Sequence, residues 1–275
     1  MNLNILAQFQ MWSAWHFVYI AAPIVITLIL YFALRKTKYI VRYSVGVVIG
    51  ILSLAVLIMR NVDIYKSNGF DPEIIPLQVC HFGNIMVFLA LVFKCKTAAS
   101  IAWCLNVVAA FSSHVDATSL SHYGNVFCIR AQAYIWGHLL IVVGGLYAVL
   151  LKIVRIDLKS FGWGVFVLIL LLIPSIILNC YFRDVMHRNI NYFYIYNSDG
   201  APFGFIYGLV ERSYYGEWFS IDWVYTILMI LIPLALMIGI FYLQAPLYLK
   251  DKDYKTENIF LELYHKKHPK EVKEN

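Results

Sequence analysis

Residues 162–182 read GWGVFVLILLLIPSIILNCYF, with no Asp, Glu, Lys or Arg among them. A helix of about 20 apolar residues crosses the hydrocarbon of a bilayer, where lipid offers no partner to an open backbone group. Working outward from this block, six more stretches have the same character: 16–34, 41–59, 74–93, 97–113, 131–151 and 222–243. Their cores carry no charge. The whole chain is 61% hydrophobic and only 14% charged, where a soluble domain carries roughly 25% charged residues. The expected fold class is therefore all-α: a polytopic membrane protein with seven transmembrane helices. One membrane domain is expected over 1–243, followed by a basic tail over 244–275. No Lys or Arg precedes the first block and no small-residue cleavage site follows it, so it is read as a retained helix and not a signal peptide.

Orientation follows from the loop cations. Arg35, Lys36, Lys38, Arg42, Lys94, Lys96, Lys152, Arg155, Lys159 and seven lysines of the tail fall on one side. Arg60, Lys66, Arg130, Arg183, Arg188 and Arg212 fall on the other. The asymmetry puts the N-terminus outside and the C-terminus in the cytoplasm, with residue 38 cytoplasmic and residue 120 outside. The net charge of +6 suits anionic head groups rather than nucleic acid. No phosphate-binding glycine loop, zinc spacing or internal repeat is present, and neither metal nor cofactor is expected. The five cysteines form no spaced framework.

The longest connection on the outer side, 183–221, is dense in Tyr, Phe and Trp. It reads as an interfacial aromatic belt, and also as a cap with a re-entrant stretch at 201–210 over an outward-facing cavity. The segment 190–223 is expected to border the pocket that holds Cys80. The tail, with Ile259, Phe260, Leu261 and Tyr264, reads equally as a short helix on the membrane surface or as a solvated segment.

Polar side chains inside spans are costly and so are informative. Four places stand out: His16 at the start of the first span, Gln78, Cys80, His81 and Asn84 in the third, His138 in the fifth and Asn191 after the sixth. The third and fifth spans run in from the same face. At 1.5 Å per residue, Cys80 and His138 both lie roughly 9–10 Å below that face. Gln78, His81 and Asn84 are three apart and share one side of a helix. A cysteine and a histidine at one depth can do nucleophilic chemistry: the imidazole takes the thiol proton and the thiolate attacks an acyl carbonyl. Packing or interhelical hydrogen bonding accounts for the same residues without chemistry. The imidazole of a working pair also needs a polar orienter, for which Asn84, Gln78 and His16 are the candidates.

Pro76-Leu77-Gln78-Val79-Cys80, His138, Asn191-Tyr192 and His16, in that order, resemble the YwaF-like bacterial integral membrane proteins, which are related to an animal family of transmembrane acyltransferases. The resemblance covers nearly the whole chain. It implies a seven-helix protein in which Cys80 is the nucleophile and His138 the catalytic histidine in fatty-acyl transfer between phospholipids. Where bacterial members carry a small acidic or amide residue after the cysteine, this chain has His81, so His81 is a second candidate partner for Cys80. The function implied is a lipid acyltransferase or acyl hydrolase in the cell membrane, working through an acyl-cysteine near the outer leaflet, with membrane phospholipids as its partners. The competing readings are a small-molecule transporter and a non-catalytic, receptor-like protein with an outward-facing polar pocket. The absence of a mid-span carboxylate or lysine argues against a proton-coupled carrier, and no paired interrupted segments are visible in two matching halves.

Overall fold

The computed structural model describes residues 9–197 and 222–244. The aromatic stretch 198–221 with its 201–210 segment, and the tail from 245 onward, lie outside the described residues. Among the described residues, seven helices are long and apolar enough to cross a membrane: Ala14–Leu34, Tyr39–Asn68, Pro72–Phe93, Lys96–Val115, Ile129–Leu150, Leu158–Val185 and Trp223–Leu243. No strand occurs among the described residues.

Side chains of the sequence itself start several of these helices. Ser13 Oγ accepts the His16 N–H at 3.3 Å, and Asp222 caps the seventh span through the Tyr225 N–H. Asp157 and Ser160 form a reciprocal capping box at the sixth. Each such bond satisfies an amide that the first helical turn leaves open.

The second span corrects the sequence reading. It is helical to Asn68, nine residues beyond the apolar block that ends at 59, before Gly69 stops it with φ 70°. Charge ends an apolar run but does not end a helix. Here Arg60 pairs with Glu73 at 2.7 Å, Asp63 pairs with Arg130 at 3.0 Å, and Asn61 donates to the Ile74 carbonyl. These bonds support the overrun against the third and fifth spans.

The third span begins late. Residues 72–74 form a 3-10 turn, and the α-helix proper starts at Val79. Pro72 and Pro76 lack the amide that a continuous helix needs. Cys80 therefore sits in the first helical turn, not a turn and a half inside a helix.

The fifth span is the axis of the bundle, the most buried of these seven helices, whereas the first is the least. It packs on the first, second, third and fourth spans. Gly144 and Gly145 permit this closeness: a methyl at Gly144 would overlap Val87 of the third span, and one at Gly145 would overlap Val107 of the fourth. The sixth span packs on the beginning of the fourth, and the seventh on the wider π-helical turn Ala102–Asn106 of the fourth. The sixth and seventh meet at the end away from Cys80, where Phe161 and Phe241 stack at 4.6 Å and Gln244 donates to the Ile156 carbonyl.

Candidate functional site

Cys80 is the second residue of its helix. The Gln78 side chain makes no cap bond, and Phe82 is the first residue whose amide finds a carbonyl in the helix, at Gln78. The first-turn amides beside Cys80 thus have no helical acceptor and lie at the positive end of the helix dipole. Negative charge developing at or near Sγ is favoured in that position.

His138 lies on the fifth span and is 5% exposed. Its Nδ1 is 2.7 Å from the Tyr134 carbonyl. A carbonyl only accepts, so Nδ1 carries the proton, and in the neutral ring Nε2 is left as an acceptor. The orienter is therefore a main-chain carbonyl one turn back, and none of Asn84, Gln78 or His16. Helical side chains lean toward the preceding turn, which brings the imidazole onto that carbonyl.

Two cavities meet at these residues. One, of about 430 Å³, is polar and is bounded by Arg60, Glu73, Gln78, His81, Asn84, Asp116, Tyr123 and Arg130. The other, of about 150 Å³, is apolar. It runs between the fourth, sixth and seventh spans past Leu105, Ala109, Leu168, Leu172, Met229 and Met237. Four side chains line both: Cys80, Ser113, His138 and Tyr194.

The supporting polar residues divide by this geometry. Asn84 accepts from Ser53 Oγ at 2.7 Å and donates to the Cys80 carbonyl at 3.0 Å. It ties the cysteine's turn to the second span. His81 is buried and its Nδ1 has no partner among the described residues. It lines only the polar cavity, whereas His138 lines both. Gln78 shares that polar wall. His16 lines neither cavity. It donates from Nε2 to the His114 carbonyl at 3.0 Å and accepts the Trp12 amide at Nδ1 at 2.9 Å, so it fastens the first span to the end of the fourth. Asn191 also lines neither: it accepts the Tyr196 amide at 3.1 Å and donates to the Asn197 carbonyl at 2.7 Å, closing a turn.

Several residues of the site were not singled out in the sequence. Asn106, in the π-helical turn, donates to the Val79 carbonyl at 3.1 Å and holds the start of the third span. Ser113 and Tyr194 stand at the junction of the cavities. Tyr134, one turn before His138, was the one partner that helical spacing alone could have supplied. Of the aromatic segment 190–223, residues 190–197 and 222–223 are described, and they include Tyr194 at the pocket.

In comparison with known proteins, the chain matches the model of the TMEM164 family over residues 10–242. No curated protein and no solved structure matches it.

Proposed function

The chain belongs to the TMEM164 family and is a multi-pass membrane protein, and from that premise we propose that it transfers fatty-acyl groups to or from phospholipids through an acyl-cysteine at Cys80. The observation that carries this reading is the meeting of a polar and an apolar cavity at Cys80 and His138. A phospholipid has the same two parts, joined at the ester that is to be cut. Its head group fits the cavity with Arg60, Glu73 and Arg130, and its acyl chain fits the slot among the fourth, sixth and seventh spans. The resemblance of the ordered motifs to YwaF-like proteins points the same way.

In the reaction, His138 Nε2 accepts the Cys80 thiol proton and the thiolate attacks the ester carbonyl carbon. The C–S bond forms. The ester C–O bond then breaks, and the leaving alkoxide takes the proton back from Nε2–H. The products are a thioester at Cys80 and a lysophospholipid. A second lysophospholipid hydroxyl gives its proton to His138 Nε2 and attacks the thioester carbonyl; the C–O bond forms, the C–S bond breaks, and the leaving Cys80 sulfur takes the proton from Nε2–H. Water in place of that hydroxyl gives hydrolysis.

The distribution of loop cations supports an N-terminus outside, a cytoplasmic tail after a domain ending near 243, and a site facing the outer leaflet of the cell membrane.

The test is acyl exchange between a labelled phospholipid and a lysophospholipid in vesicles holding the full chain. Cys80→Ala abolishes exchange, Cys80→Ser keeps little of it, and His138→Ala lowers it by about 10²–10⁴-fold, with all three inserted normally. Full exchange by Cys80→Ala refutes the proposal. Uptake of a solute with no acyl exchange favours the transporter instead.

A further inference from the structure

The turn after the sixth span holds two consecutive residues in the left-handed region, Phe193 and Tyr194, each at φ 53°. Neither is Gly, Asn or Asp, so the conformation is costly and persists only where the surroundings impose it. Three elements impose it here. Asn179 of the sixth span accepts the Tyr192 amide at 2.7 Å and donates to the Tyr192 carbonyl at 3.0 Å. The Tyr192 hydroxyl donates to the Pro72 carbonyl at 2.6 Å, and the Phe193 amide to the Leu77 carbonyl at 3.2 Å. From the seventh span, the Tyr225 hydroxyl donates to the Tyr194 carbonyl at 3.0 Å.

This construction places the Tyr194 ring where the two cavities join, beside Cys80 and His138. The Tyr194 hydroxyl has no hydrogen-bond partner among the described residues. The other hydroxyl at the junction, on Ser113, is engaged with the Ala109 carbonyl at 3.2 Å. Burial first, then the neighbouring Cys80 and Tyr134, hold the Tyr194 phenol far above its ordinary range. It is a donor at neutral pH.

Resting on the acyl-cysteine reading, we propose that the Tyr194 hydroxyl donates a hydrogen bond to the carbonyl oxygen of the acyl group that Cys80 attacks. As the C–S bond forms, the carbonyl π pair moves onto that oxygen, and Tyr194 O–H together with the open first-turn amides of the third span holds the charge. When the pair returns, the C–O bond to the leaving alcohol breaks. Tyr194 keeps its proton throughout.

The test compares two reactions of Cys80 in the full chain in vesicles: acylation by an alkyne-tailed phospholipid, which passes through an oxyanion, and alkylation by iodoacetamide, which does not. In Tyr194→Phe the maximal acylation rate falls about 10²-fold, with half-saturating lipid concentration and alkylation rate unchanged. Tyr196→Phe removes the neighbouring hydroxyl that binds Asp184 and leaves both rates as in the wild type. An unchanged acylation rate in Tyr194→Phe overturns the inference. So does a parallel fall in acylation and alkylation, which marks a merely structural tyrosine. Wild-type protein that is alkylated but never acylated at Cys80 removes the acyl-cysteine reading itself, and this inference with it.

Discussion

Gly144→Ala probes how the bundle sets the distance between Cys80 and His138 without touching either. Gly144 is six residues beyond His138 on the fifth span, and Val87 seven beyond Cys80 on the third. A Cβ at 144 would fall well inside contact distance of Val87 Cγ1, with Ile49 Cγ2 at 3.4 Å and Leu91 Cδ1 at 3.5 Å closing off other directions. Val87 is fully buried and its branched side chain is stiff at χ1. Carbon atoms settle at about 3.5–4.0 Å, so the two helices must part by about 1 Å. Overpacking of this kind costs about 1–3 kcal/mol, and a misplacement of about 1 Å at the chemistry costs about 10²-fold in rate. We expect Gly144→Ala to lower both the detergent melting temperature and acyl exchange. Val87→Ala in the same chain removes the opposing methyls and restores most of both, so that the two substitutions are strongly non-additive. Additive effects, or a wild-type exchange rate in Gly144→Ala, would refute the claim that this contact sets the site.

Further outcomes are expected elsewhere. Ala109 lines the apolar slot four residues from Ser113, about 6 Å along the helix; Ala109→Phe obstructs the slot there and lowers transfer of a sixteen-carbon chain by about tenfold more than that of a four-carbon chain, read in paired exchange assays. At Asp157, burial pushes the carboxyl up, but Lys96 at 2.6 Å and Ser160 outweigh it and hold it below the ordinary range. A lowered carboxyl stabilises the fold above its unfolded value of about 3.9 and loses that contribution as pH falls through the folded value. Asp157→Ala therefore costs about 1 kcal/mol at neutral pH, and its melting-temperature deficit shrinks below about pH 4. Reporter fusions should place residue 38 in the cytoplasm and residue 120 outside; a cytoplasmic signal at 120 would reverse the orientation and move the site to the inner leaflet.

The seven helices were legible because apolar runs of this length have one stable form in lipid. Their ends were less so. The polar stretch Arg60–Asn68 gives no apolar signal and is helical because of partners on the third and fifth spans, which are distant in sequence. Pro76 did carry a readable message about Cys80, since a proline is tolerated in a helix only in its first turn and so marks a start near it, while the first turn is uncapped because the Gln78 side chain makes no cap bond. Counting residues from the apolar boundaries set Cys80 and His138 at one depth, but that count took the third span as helical from residue 74, and its α-helix starts only at Val79. That they share two cavities depends on Gly144 and Gly145 letting the spans close up, which no local pattern announces. Tyr194 was the least legible, since what aims it is a turn held by Asn179, Leu77 and Tyr225 from three separate elements.

The acyl-cysteine itself offers the most direct measurement. The full chain in vesicles is incubated with a phospholipid whose acyl chain is isotopically labelled, quenched in acid, and the peptide containing Cys80 is analysed by mass spectrometry. The account predicts a labelled acyl adduct on Cys80 that neutral hydroxylamine removes, as it does a thioester, and that is absent in Cys80→Ala. Exchange that proceeds with no such adduct, or with the label on another residue, contradicts it.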